Sequence, residues 1–311
     1  VNAALSLDAD NQWAYMKTHG DGGWETFPSY LDVVIPRALE VLSAHNLRIS
    51  FFIVGQDAEL QQNEDTLQLI ARAGHEVGNH SFHHEPWLHR RNESEIDEEL
   101  ERAERSIERV TGVRPRGFRG PGFVRSKLLL NVLKRRGYAY DASTLPTFIG
   151  PLARAYYFKT AKLDRASKIE RVDLFGSFSD AFEPNKRHFV ETDDGPIAEI
   201  PVTTMPGLRI PIHISYVLYL ASISTRLAKS YFRTAIHLCR VTRTEPSILL
   251  HPLDFIDERE CPALRFFPAM AMPVKTKLEI VHDALAALNE SFTVVPLIEL
   301  SGGNTTALVE A

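Results

Sequence analysis

Apolar and polar positions along the first half of the chain follow two alternating periods. Ala3–Leu7 is a short apolar run ending in polar residues, and it predicts a buried strand. Between Pro28 and His45 the residues Leu31, Val34, Ile35, Ala38, Leu39 and Leu42 recur at helical spacing. Arg48–Val54 is β-rich, is bounded by Gly55, and predicts a second strand. Asp65–Ala73 predicts a helix closed by Gly74, and Glu76–Gly78 leads to the next strand end. Ser94–Thr111 predicts a long charged helix with a solvated face, opened by Ser94 with Asp97 three residues on and stopped by Gly112. Arg116–Arg119, Ser126–Arg136 and Tyr138–Asp141 continue as strand, helix and strand. Repeated βαβ units imply an α/β fold with a parallel sheet or barrel, whose functional groups gather where the strands end.

The second half is less regular. Residues 147–199 have weak periodicity and read as part of an insertion, about 147–240, around the short run Ile197–Val202. Leu218–Leu238 predicts a helix, Ser247–His251 a strand with a histidine at its end, Val274–Ala287 an amphipathic helix and Phe292–Leu297 a final strand. One domain over 1–300 with a tail at 301–311 is the expected organisation. At 311 residues, 44% hydrophobic and 24% charged, the composition excludes a disordered, collagenous or coiled-coil chain. Cys239 and Cys261 are too few for a disulfide framework and are expected to be inert. Val1 opens directly into the first strand, so no signal peptide is predicted, although the missing initiator Met leaves a trimmed start open. No run approaches the roughly 20 apolar residues of a membrane span. A cytoplasmic location, peripheral to the inner membrane face in one reading, follows as the expectation.

The net charge of −5 argues against a nucleic-acid partner, but it hides an asymmetry. Pro201–Thr244 contains no Asp or Glu, yet carries Arg209, Arg226, Lys229, Arg233, Arg240 and Arg243. Three readings stand. The segment is a lid or the interface of a homo-oligomer, with its arginines in water; or it binds an anionic substrate; or it is an amphipathic patch on an anionic membrane, mixing these cations with Tyr216, Leu218, Tyr219, Leu220, Ile223, Leu227, Tyr231 and Phe232. Arg209, Tyr216, Tyr219 and Arg226 are its candidate substrate- or membrane-facing residues.

Polar residues collect where the predicted strands end: Asp8-Ala9-Asp10, His80-Ser81-Phe82-His83-His84, Arg119-Gly120-Pro121-Gly122, Asp141, and Leu249-Leu250-His251. A lone Asp-x-Asp or His-x-x-x-His is most often solvated surface. At one barrel rim, however, a carboxylate and two imidazoles form a plausible divalent-metal site with open positions. His80 and His84 are spaced for one helical turn, and Asp8 and Asp10 for one face of a strand.

These motifs, in this order, resemble the polysaccharide deacetylase family (NodB-like, carbohydrate esterase family four). The segment Gly74–His84, GHEVGNHSFHH, is very close to the family's second motif. The resemblance covers about Leu5 to Leu300. It implies a distorted (β/α) barrel, usually seven-stranded, and a metal-dependent hydrolase that removes the N-acetyl group from an amino sugar of a glycan or a lipid-linked glycan precursor. Carried over residue by residue, Asp10, His80 and His84 bind a divalent ion, zinc first, with cobalt, nickel or manganese as alternatives. Asp8 is the general base and Arg119 pairs with it. The backbone N–H near Gly122 helps hold the oxyanion. His251 is the general acid, oriented by Asp141. Three departures weaken a simple transfer: the spaced Asp-x-Asp, the lack of an aromatic directly after Pro121, and Leu145 where a Trp is common. The spaced pair is similar to an Asp-x-Asp subset that includes intracellular-type peptidoglycan deacetylases. A deformylase of a lipid-linked amino sugar, an allantoinase-like amidase and an inactive carbohydrate-binding barrel remain the alternatives.

Overall fold

The computed structural model describes residues 1–172, 174 and 178–302, so the expected tail from residue 303 onward lies outside the described residues. Among the described residues seven strands form one continuous parallel run: β1 (Asn2–Asp8), β2 (Ser50–Ile53), β3 (Glu76–Asn79), β4 (Gly117–Phe118), β5 (Tyr140–Asp141), β7 (Gly195–Glu199) and β8 (Ser247–Leu250), with β6 (His188–Thr192) as the antiparallel hairpin partner of β7. Their order is β7-β5-β4-β3-β2-β1-β8. The chain leaving β7 closes most of the remaining gap: Thr203 donates its N–H to the Ser247 carbonyl at 2.9 Å, and Ser247 returns its own to Thr203 Oγ1 at 2.8 Å. The result is the distorted α/β barrel with seven parallel strands that the motif order implies.

The strand sequences follow the two-residue period of a barrel wall. Ala3, Leu5, Leu7, Phe51, Ile53 and Val77 pack outward against helices, while Ala4, Phe52, Tyr140, Ala142 and Ala198 cluster on the other face. The outer layer includes α2 (Leu31–Ala44), α3 (Gly55–Glu59), α4 (Glu64–Arg72), α5 (Glu93–Thr111) and α6 (Lys127–Arg135). The helix α5 begins one residue earlier than its pattern suggests. Asn92, not Ser94, is the cap: its side chain accepts the Glu95 N–H at 3.0 Å while Glu95 accepts the Asn92 N–H at 2.9 Å. The Leu218–Leu238 helix is two helices, α9 (Ile214–Ala221) and α10 (Thr225–Val241), because the Ser224 side chain caps Leu227 and starts the second afresh. The final strand is shortened to β9 (Thr293–Val295), which pairs with the start of β1. Helices that escaped the pattern include α1 (Gln12–His19), α7 (Gly150–Thr160) and α8 (Arg165–Glu170). Between α10 and β9 lies α11 (Val274–Ser291), longer at its C-terminal end than the pattern predicts.

Below the barrel, α12 (Leu297–Leu300) closes the floor. The buried Glu76 carboxylate accepts Ser50 Oγ at 2.5 Å, Tyr140 Oη at 2.8 Å and the Ile298 N–H at 3.0 Å. Gly117 lies so close beneath the Tyr140 ring that any Cβ would collide with it. A buried charge is tolerated only when its lone pairs are satisfied. Tyr140→Phe removes one of these three donors without creating a cavity, and it should cost about 1–3 kcal/mol in denaturant unfolding; an unchanged midpoint would show that this carboxylate does not need the tyrosine.

Candidate metal centre and active site

The parallel register brings the strand ends to one level. Asp8 is paired with Phe52, Ile53 with Asn79, Asn79 with Phe118, Phe118 with Asp141 and Asp141 with Glu199. Asp8, His80, Arg119 and His251 therefore emerge at the same rim. Asp10 Oδ1 lies 3.0 Å from His80 Nε2 and 2.9 Å from His84 Nε2. These three buried residues offer ligand atoms that all fall within 4.8 Å of one another. Burial pushes the Asp10 carboxyl up, but the two imidazoles outweigh it and hold it well below the usual carboxylate range.

The two histidines do not share a helical turn. They sit in the loop after β3, with Ser81 and His84 at positive φ, 61° and 51°. That bend, rather than helical spacing, turns His84 back toward Asp10. His80 is oriented from behind: Nδ1 lies 2.6 Å from the Arg119 carbonyl, which fixes the proton there and leaves Nε2 with a lone pair facing Asp10. Asp10 Oδ1 and both ring nitrogens of His84 are buried without an aligned hydrogen-bond partner. Three buried, convergent lone-pair atoms fit a divalent ion bound by nitrogen and oxygen.

Asp8 flanks this cluster, with Oδ2 at 4.0 Å from His80 Nε2. Its other oxygen is held by Arg119, whose Nη1 donates to Asp8 Oδ1 at 2.7 Å and to Ser6 Oγ at 2.8 Å, and whose Nε donates to the Ala142 carbonyl at 2.9 Å. His251 follows β8, and Gly122 lies in the turn after β4 at φ 71°; both line the cavity above the cluster. The aromatic missing directly after Pro121 is supplied by Phe123, which also lines it, as does Leu145.

Asp141 corrects one expectation. Among the described residues it makes no hydrogen bond to His251. It accepts Ser143 Oγ at 2.5 Å and faces Glu199, whose carboxyl is pushed well above its ordinary range by burial and by the Asp141 charge. The polar neighbour of His251 is Ser215 instead, with Oγ 3.1 Å from Nδ1.

The cavity, about 370 Å³, is roofed by α1, α7, α9 and the 266–268 loop. Its walls include Tyr15, Phe123, Tyr156, Tyr157, Tyr216, Tyr219, Phe266 and Phe267, and no Lys or Arg among the described residues. The roof is tied down where His19 stacks on Phe266 at 3.6 Å and the Tyr157 hydroxyl donates to the Thr18 carbonyl. Of the four residues singled out in the basic segment, Tyr216 and Tyr219 line the cavity, but Arg209 and Arg226 do not. Arg226 points to solvent from α10 and Arg209 lies to the side, where Thr147 binds its carbonyl. Of the eight residues named for the amphipathic reading, Leu218 and Phe232 are core, while Ile223 and Leu227 are 82% and 52% exposed. The segment is therefore not one continuous apolar face. His213, which sequence reasoning missed, lines the cavity beside His251; burial, then His251 and Arg119, hold it well below the usual imidazole range.

The Asp141–Glu199 pair has a measurable consequence. A carboxyl whose folded pKa is raised destabilises the fold as pH climbs from its ordinary pKa through the raised one. Glu199→Gln removes that effect and keeps an acceptor for the Thr144 N–H, which Glu199 Oε1 binds at 3.1 Å. Its melting temperature should therefore gain on the parent more at pH 8 than at pH 5; an equal gain at both would contradict the shared burial of the two acids.

Residues 20–140 match the family model described as polysaccharide deacetylase. A peptidoglycan deacetylase of Helicobacter pylori is 31% identical over 170 residues, 55% of this chain and 53% of that protein. A peptidoglycan-N-acetylmuramic acid deacetylase of Bacillus subtilis is 36% identical over 107 residues, 33% of this chain and 38% of that protein. The chain thus spans about half or less of the length of these curated relatives. The fold is that of solved structures from Mycobacterium smegmatis (TM-score 0.63, 18% identity, 97% of this chain and 88% of that one) and Pseudomonas aeruginosa PAO1 (0.60, 15%, 97% and 89%), both assigned as polysaccharide deacetylases. The motifs at the rim, the matched region 20–140 and the shared fold agree, and they make the chain similar to polysaccharide deacetylases.

Proposed function

We propose that this protein is a metal-dependent amide hydrolase that removes the acyl group, acetyl first, from the nitrogen of an amino sugar. The observation that carries the reading is the convergence of Asp10, His80 and His84, with the Arg119-bound Asp8 beside them and His251 on the same cavity wall. Asp10, His80 and His84 would hold the ion. A bound ion of the zinc class supplies Lewis-acid polarisation and makes water more acidic. Asp8 accepts the proton of the attacking water at the oxygen that Arg119 leaves free. His251 gives a proton to the departing amine, which an unassisted amine could not leave without. The Gly122 turn offers backbone donors to the developing oxyanion. An inactive binding module has no use for a base on one side and an acid on the other.

The cavity narrows the substrate. Its aromatic, cation-free walls do not suit a sugar phosphate or nucleotide sugar held by arginines. They suit an amino sugar carried on an uncharged apolar body, and the exposed Phe148, Leu152 and Tyr156 extend the apolar surface outward along α7. A lipid-linked glycan precursor, met by peripheral contact with a membrane, fits this chemistry. Among the described residues no helix is long and apolar enough to cross a membrane.

Acetate release from N-acetylglucosamine oligomers and from an N-acetyl amino sugar on an uncharged long-chain alkyl glycoside tests the activity, and the ratio of the two tests the apolar carrier. Asp8→Asn should lower kcat by about 10²–10⁴ with bound zinc retained. His80→Ala should lose both metal and turnover. Near-parental kcat in Asp8→Asn would remove Asp8 from the base role. No acyl release from any acylated amino sugar, with metal bound, would favour a binding barrel.

A further inference from the structure

The general acid of the proposed reaction needs a fixed orientation, and the surroundings of His251 supply one from an unexpected quarter. Ser215, at the start of α9, donates its hydroxyl proton to Asp254 Oδ1 at 2.8 Å, and the other oxygen of Asp254 accepts the backbone N–H of His251 at 2.8 Å. Ser215 Oγ is also 3.1 Å from His251 Nδ1. A hydroxyl has one proton. With that proton committed to the carboxylate, Oγ has only lone pairs for the imidazole, so Nδ1 must be the donor. All three links are shielded from solvent: Ser215 and Asp254 are buried, and Lys277 Nζ seals the far side by binding the carbonyls of Leu253 and Ile256 at 2.7 Å.

We propose that Ser215 and Asp254 are the positioning residues of His251, holding its Nδ1 proton in the chain Nδ1–H···Oγ–H···Oδ1 and leaving Nε2 as the nitrogen that serves the cavity, in the place that the family pattern gives to Asp141. The chain of contacts is acid–serine–histidine, not acid–histidine–serine. Ser215 is therefore not a nucleophile, because its proton already belongs to Asp254 rather than to a base. The relay transfers no proton. During turnover Nε2 gives its proton to the leaving amine, and the neutral imidazole that remains keeps Nδ1–H. The other groups facing this unit are His213, with ring centroid 5.8 Å from that of His251, Tyr216 beside His213, and Tyr15 and Tyr219 toward Asp254. None of them makes a hydrogen bond to His251 Nδ1 among the described residues.

The kinetic consequence rests on the amide-hydrolysis reading, whereas the proton position does not, so the two can fail separately. The probe is the zinc-loaded full chain with ¹⁵N-labelled histidine rings, at alkaline pH, with His251→Gln assigning the signal. The parent should carry the His251 proton on Nδ1. Ser215→Ala should shift it toward Nε2, and Ser215→Thr should restore it. Asp254→Asn should shift it as well, because an amide donor to Oγ frees the serine proton to face Nδ1. Asp141→Asn should leave the signal in place. Where turnover is measured, Ser215→Ala should lower kcat about tenfold or more at nearly constant KM, and threonine should rescue it. An unchanged ring signal in both Ser215→Ala and Asp254→Asn, or a shift in Asp141→Asn, overturns the proposal. A parental Nδ1–H signature that moves as described, in a protein that hydrolyses no acylated amino sugar, upholds the relay and discards the activity.

Discussion

The site depends on one buried guanidinium. Arg119 is 0% exposed, yet it carries a full charge into the barrel mouth. Such a charge is affordable only if it is paired and hydrogen-bonded. Arg119 meets that condition with four different strands or strand ends. It binds Asp8 and Ser6 of β1, binds the Ala142 carbonyl just past β5, lies 4.5 Å above the Phe52 ring of β2, and grows out of β4. Its backbone carbonyl meanwhile orients His80. One residue thus decides which oxygen of the proposed base, Asp8, stays free and fixes the tautomer of a metal-ligand candidate. Truncating it would leave Asp8 without its counter-charge and would free the ring of His80 at the same time.

The parts of the fold legible in the sequence are those where period and composition agree. The apolar faces of β1, β2 and α2 are written in consecutive residues, and so are the polar strand ends that carry Asp8, Asp10, His80, His84, Arg119 and His251. Other features depend on partners distant in sequence. The helix α1 buries Trp13, Ala14, Met16 and His19, a set without a clean apolar stripe. The strands β4 and β5 are two residues long, too short for any pattern to bound them. The His80–His84 pair looked helical by spacing, whereas two positive-φ residues in a loop make the same approach. Ser215 could not be read as a partner of His251, because a serine in an apolar helix turn carries no signal until β8 is placed against it.

Charge followed the same division. The basic run from Pro201 to Thr244 marked a real structural unit, the paired helices α9 and α10. Its cations, however, lie outside the cavity, while Tyr216 and Tyr219 line it. Average charge over a segment cannot separate the two faces of a helix; only packing does. The aromatic side of this unit, together with α7, makes the cavity a place for uncharged bodies, while the carboxylates and imidazoles stay at the strand ends beneath it.

The pairing of β1 has a consequence for how the chain reaches this state. That strand carries Asp8 and lies between β2 and β8, with β9 against its first residues. Ala4 pairs with Ser247, and Asn2 with Thr293. The residues of β1 must therefore wait for β8 and β9, far along the chain, before their strand is complete. Contacts of such long sequence separation form late and slowly. Until then Asp8 has no finished strand to stand on, so the candidate ion site can assemble only once β8 and β9 have been made.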